Sequence, residues 1–225
     1  MLRQEHKNST SSRRLDELRE LLMEMANHIE FSLAGAVMGL IEHRSDFTRI
    51  AVREQARIDS LHDKADALAI ELLSGGHLSK RGIRFVAHAL KIAMDFERME
   101  EEVRQIADSS MVLNAGSASM PLTHFPKLVA NTQGMVADGV DAFVNCNYEQ
   151  SAAILQRARD LDVLSNEIFR ELLTHIAAHP SDAAMGMHVL LMTRSFRRIG
   201  DAVANMARSV RGICMRHKKE QEKKG

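Results

Sequence analysis

A chain of 225 residues with three prolines, one Tyr and no Trp is long enough for a sizeable core and favours helices over strands. Thirty basic side chains balance thirty acidic ones, which excludes a global electrostatic footprint for nucleic acid. No apolar run reaches the ~18 residues of a membrane-spanning helix, and nothing resembles a signal peptide, so a cytoplasmic protein is expected.

Residues 1–12 are polar and are expected to form a loose tail, with Ser11 or Ser12 available as a helix cap. From residue 13 to about 42, Leu15, Leu18, Leu22, Met25, Ile29, Leu33, Val37 and Leu40 form a heptad-like seam, the mark of a first long helix. Asp46 is positioned to cap a second helix, whose seam of Ile58, Leu61, Ala65, Leu68 and Leu72 stops at Gly75–Gly76. Ser79 can cap a third helix that runs to about residue 111. Residues 114–126 collect Gly, Ser and two prolines and predict a linker. A fourth helix then covers about 127–146, and Asn147 can cap a fifth that reaches about 178. His179-Pro180-Ser181-Asp182 breaks and restarts the chain into a sixth helix to about 217, ahead of a charged tail over 218–225. Both tails are basic; solvation is the plain account, and contact with an anionic membrane face the other.

The chain repeats itself. At an offset of 100 residues Leu90, Phe96, Arg98, Val103 and Ala107 meet Leu190, Phe196, Arg198, Val203 and Ala207, and Glu71-Leu72-Leu73 meets Glu171-Leu172-Leu173. An all-α protein is predicted, made of two tandem three-helix-bundle repeats over 13–113 and 127–217, with six long antiparallel helices joined by short turns.

Continuing the apolar steps Val86, Leu90 and Ala93 by four lands on Glu97 and Glu101, which places these carboxylates at or beside core positions. His62 and Asp66 share a face of the second helix and would lie across one groove from them. An imidazole and three carboxylates on two helices suit a divalent or ferric ion; a solvated face, or pairing with Arg98 or Arg104, is the competing account. In the second repeat the same positions are Asp162, Asn166, Arg197 and Asp201. Arg197 cannot ligate a metal and would stand in for one as a built-in cation between Asp162 and Asp201.

FERMEEEVRQIA and FRRIGDAVANMA, in a duplicated three-helix repeat, resemble the signature of the PhoU family of bacterial phosphate regulators. The resemblance covers about residues 13–215. It implies a metal motif at His62, Asp66, Glu97 and Glu101, with Asp162, Asn166, Arg197 and Asp201 as its altered counterpart, so that iron or zinc is expected in repeat one, with Asp162 and Asp201 as the weaker candidate ligands. It further implies regulation rather than turnover. Expected partners are an ATP-driven or proton-coupled phosphate transporter and a sensor histidine kinase held inactive when phosphate is plentiful. The protein would be cytoplasmic and peripheral to the membrane, with no nucleic-acid role. A homodimer is expected, since symmetric pairing of such bundles is common. The runners-up are a metal-free scaffold with another membrane-protein partner and a ferritin-like carboxylate metalloenzyme; the latter needs a Glu-x-x-His ligand pattern not placed here.

The arginines of the last helix, Arg194, Arg197, Arg198, Arg208 and Arg211, suit an acidic partner or plain solvation. The remaining histidines are scattered, the methionines mostly occupy seam positions as core filler, and no nucleophile–base set or phosphate-cradling glycine loop is present. Cys146 and Cys214 fit neither a disulfide framework nor a CxxC metal site.

Overall fold

In a computed structural model that describes residues 2–116 and 122–221, the chain forms six helices. They are α1 (Leu2–Ile41), α2 (Ser45–Ser74), α3 (Lys80–Ala115), α4 (Phe125–Val144), α5 (Tyr148–Ala178) and α6 (Ala183–Gln221), with one 3-10 turn at Pro180–Asp182 before α6. No strand occurs among the described residues. Helices α1, α2 and α3 pack on one another as one bundle, α4, α5 and α6 as the other, and α3 and α6 are the main seam between them. Residues 117–121 of the predicted linker and 222–225 of the predicted tail lie outside the described residues.

The seams read from the sequence are the cores. Leu18, Leu22, Met25, Ile29 and Leu33 of α1 are buried against Ile58 and Leu61 of α2 and Phe96, Met99 and Val103 of α3. In the second bundle Leu128, Met135, Leu161, Ile168 and Phe196 do the same, with Phe125 edge-on to Phe196 at 5.9 Å between ring centres. Each such side chain contributes about 1.5–3 kcal/mol by leaving water. The methionine expectation holds in part: Met25, Met99, Met135, Met192 and Met206 are buried, whereas Met38, Met94, Met111 and Met187 lie on the outside.

Turn chemistry is local. The Gly82 N–H donates to Ser79 Oγ at 3.1 Å, and the Glu149 and Gln150 N–H groups donate to Asn147 Oδ1, so both expected caps form. Helices α1 and α4 end alike. His43 and Cys146 take the left-handed conformation at φ 54° and 51° while the next N–H, of Arg44 or Asn147, closes back on Gly39 or Ala142. Asp46 does not cap α2: Arg44 holds the capping position, and its guanidinium pairs with the Asp46 carboxylate at 2.6 Å.

Two expectations are corrected. Helix α1 begins at Leu2, not after a loose tail over 1–12, and α6 continues past 217 to Gln221. Neither segment holds a Gly or Pro, and 218–221 are all Lys, Glu or Gln, so no helix breaker stops the hydrogen-bond ladder at either end. Cys146 and Cys214 are joined in a disulfide, with Cα atoms 5.7 Å apart. A separation of 68 residues says nothing about distance once α4 lies back along α6.

Helices α3 and α6 cross antiparallel around Glu100 and Gly200, the same position in the two repeats. Arg198 donates to Glu102 at 2.6 Å, Asp95 has Asn205 as its hydrogen-bond partner, and His88 covers Gly212. Each pair lies equally far, in opposite directions, from Glu100 and Gly200, so the duplication is expressed as a pseudo-twofold axis.

Candidate functional site

The groove between α2 and α3 brings His62 and Glu97 together: His62 Nε2 lies 3.7 Å from Glu97 Oε2, with side chains 17% and 52% exposed. That separation exceeds a hydrogen bond, and the buried Nε2 of His62 has no hydrogen-bond partner. Asp66 and Glu101 are exposed. The donor types suit a transition metal. As placed, however, only His62 and Glu97 meet; among the described residues no three His, Cys, Asp or Glu side chains converge closely enough to hold an ion.

Of the two placements expected for Glu97 and Glu101, at or beside core positions, the structure shows the second, each lying one residue beyond a buried position, Phe96 or Glu100. Glu97 and Glu101 are exposed, and the buried acids of α3 are their neighbours Asp95 and Glu100. Repeated steps of four outrun the 3.6-residue turn and drift off the seam; alternating steps of three and four from Ala93 pass through Phe96, Glu100, Val103 and Ala107, all buried. That alternation was the signal that could have found Glu100.

Glu100, 1% exposed, lies inside the first bundle. Ser32 on α1 donates to its Oε1 at 3.2 Å, while its Oε2 has no partner. Burial raises the carboxyl to about 8; the Ser32 bond opposes this, and the charges of Glu54 and Asp59 on α2 add to it. Glu54 is itself buried and meets His28 Nδ1 at 2.5 Å and Arg57 at 3.2 Å. Asp95, on the α6 side of α3, is raised to about 6 by burial, against the pull of Arg98, Asn205 and Arg208.

In the second repeat Asp162 on α5 accepts a hydrogen bond from Arg197 Nε on α6. That bond, with the charges of Asp162 and of Asp201, raises the guanidinium above its ordinary value in spite of burial. Asp201 and Asn166 are exposed. Arg197 therefore meets Asp162 directly, while toward the exposed Asp201 only the attraction of opposite charges acts. Glu100 also has no counterpart here. At Gly200 an added Cβ would lie 2.2 Å from Leu161 Cδ1, so apolar packing fills the space that holds a carboxylate in the first bundle.

Elsewhere His124 pairs with Glu171 at 2.7 Å and His175 with Asp182 at 2.8 Å, while His28 lies between Glu54 at 2.5 Å and Glu24 at 4.0 Å. On α6, Arg198 and Arg211 are engaged by Glu102 and Tyr148.

The chain matches the PhoU domain family over residues 22–110 and 125–210. It is 24% identical over 204 residues to the phosphate-specific transport system accessory protein PhoU homolog of Caulobacter vibrioides, covering 90% of this chain and 89% of that one. It is 26% identical over 196 residues to the protein of the same description from Zymomonas mobilis, covering 87% and 83%. The crystal structure of PhoU from Pseudomonas aeruginosa superimposes with a TM-score of 0.88 at 21% identity, over 91% of this chain and 98% of that one.

Proposed function

The chain belongs to the PhoU family, and from that premise we propose that it is an accessory protein of a phosphate transport system. Its role in this reading is negative regulation of phosphate uptake and phosphate-starvation signalling, as an adaptor between a phosphate transporter and a sensor histidine kinase. The observation that carries the reading is the match along about nine-tenths of the chain to relatives named as accessory proteins of that system. A rigid bundle with a charged groove suits docking of a partner helix. No helix among the described residues is long and apolar enough to cross a membrane, which fits a peripheral protein acting at the cytoplasmic face. Regulation without turnover and assembly as a homodimer belong to the same proposal.

The groove supplies the second part. We propose that iron or zinc binds in repeat one only, through His62 and Glu97, with Asp66 and Glu101 turning in from solvent. The partnerless Nε2 of His62 facing Glu97 supports this reading. A bound ion would supply fixed positive charge that clamps α2 to α3. In repeat two Arg197 favours the metal-free form of the groove.

Deleting the gene in its host tests the regulatory part. Phosphate-starvation genes should become expressed in phosphate-replete medium, and repression that survives the deletion would overturn the reading. Elemental analysis of tag-free protein tests the metal part: about one equivalent per chain, lost in Glu97→Gln/Glu101→Gln, is expected. No metal, or metal unchanged in the double variant, rejects the site and leaves the adaptor reading to be judged on the deletion alone.

A further inference from the structure

The Cys146–Cys214 disulfide is not sealed in the core. Both cysteines line a cavity of about 450 Å³ that lies between the bundles, walled by α1 and the first turns of α3 on one side and by the ends of α4 and α6 on the other. Cys214 is 6% exposed, whereas Cys146, at the left-handed corner after α4, is only partly buried. Among the described residues, Arg19, Lys80 and Arg84 line the same cavity beside one carboxylate, Asp16. Arg19 lies 3.7 Å from Asp16 and stacks over the Phe85 ring at 5.1 Å, which fixes it at the wall. The volume lies in the range that admits a small organic ligand.

We propose that this disulfide is a reversible redox site and that the cavity admits a small thiol carrying carboxylates, of the tripeptide-thiol class. The cationic wall concentrates an anionic thiol, and it stabilises the thiolate that departs when the bond opens. The incoming thiolate attacks Cys146 Sγ, the more accessible sulfur. A mixed disulfide forms at Cys146, the bond to Cys214 breaks, and its electron pair leaves on Cys214 Sγ, which takes up a proton. A second thiolate attacks the outer sulfur of the mixed disulfide, forming the small-molecule disulfide and releasing Cys146 as thiolate. Two thiols are oxidised to one disulfide and the protein disulfide is reduced to two thiols; the oxidised small molecule drives the reverse. The tie lies within repeat two, but the cavity it faces is shared with repeat one, so its redox state is exposed at the joint between the bundles. The inference is independent of the phosphate reading.

The test follows opening of the disulfide in oxidised full-length protein by mass spectrometry after thiol alkylation. The probes are glutathione, whose thiolate form is strongly anionic, and cysteamine, whose thiolate form is a net-neutral zwitterion, at equal thiolate concentration. Glutathione should react faster by about tenfold or more at low salt, and the preference should shrink with added salt and fall towards parity in Lys80→Glu/Arg84→Glu. Both substituted positions are exposed on α3, and circular dichroism checks that the variant is folded. Equal rates with the two thiols, or an undiminished preference in the variant, would overturn the proposal. So would peptide mapping that finds no Cys146–Cys214 bond in air-oxidised protein.

Discussion

Arg197 donates to Asp162 between α5 and α6 at the positions where His62 and Glu97 face each other between α2 and α3, so the nitrogen-bearing and carboxylate side chains trade helices between the two repeats. The Arg197–Asp162 pair is half-exposed, 43% and 50%, and solvent screens pairs of this kind to about 1 kcal/mol or less. Arg197→Gln should therefore lower stability by no more than about 1 kcal/mol in urea denaturation. A loss of several kcal/mol would show that Arg197 does more than neutralise an exposed acid.

Glu100 makes a prediction about pH. Its folded carboxyl titrates at about 8 against 4.5 for the ordinary group, so between those values the folded chain holds a proton that the unfolded chain releases. The stability of the protonated form is complete below about 4.5 and is lost as pH rises through about 8. Glu100→Gln, which keeps the shape without the charge, should therefore raise stability at pH 8.5 by at least about 1 kcal/mol, roughly 2–4 °C in Tm. The gain should fade towards pH 5. Asp95 acts in the same sense over the lower window from 3.8 to about 6. Thermal melts of the wild type and variant across this range check the sign, and a variant less stable at pH 8.5 would contradict it.

Gly200 lets α6 approach Leu161 of α5, and an added Cβ would meet the buried Leu161 Cδ1 at 2.2 Å and Met135 Cε at 3.8 Å. Gly200→Ala should cost about 1–3 kcal/mol through overpacking, despite the better helix propensity of Ala. Chemical denaturation of Gly200→Ala with and without Leu161→Ala checks the account. A cost that is unchanged in the Leu161→Ala background would mean that the clash is not its origin.

The disulfide closes a loop across 68 residues. Replacing both cysteines by Ala should lower stability by about 2–4 kcal/mol relative to the oxidised wild type. Reduced wild type should fall close to the double variant, and urea denaturation with and without reductant measures both. Identical stability of the oxidised and reduced wild type would show that the bond adds nothing to the fold.

Much of the architecture was legible because it is periodic. The seam from Leu15 to Leu40, the stop at Gly75–Gly76, the caps at Ser79 and Asn147 and the offset between Phe96 and Phe196 all act within a few turns of one helix or repeat directly. The site was legible in part. His62 and Glu97 meet, and Arg197 pairs with Asp162, because positions one turn apart share a face and neighbouring helices of a bundle lie side by side. Glu97 and Glu101 fall beside the seam rather than on it, since phase error accumulates along a helix when one step is repeated.

The number and order of the six helices, the caps at Ser79 and Asn147 and the twofold repetition are written in the chain, since hydrogen bonds and apolar periodicity operate over short separations. Only the tertiary structure decided that Glu100 is the buried acid, that Gly200 closes around Leu161, and that Cys146 reaches Cys214 beneath a cationic wall. Those relationships depend on the rotation of each helix about its axis and on how α3 crosses α6. Both are set by side chains far apart in the chain competing for one core, which no local pattern records.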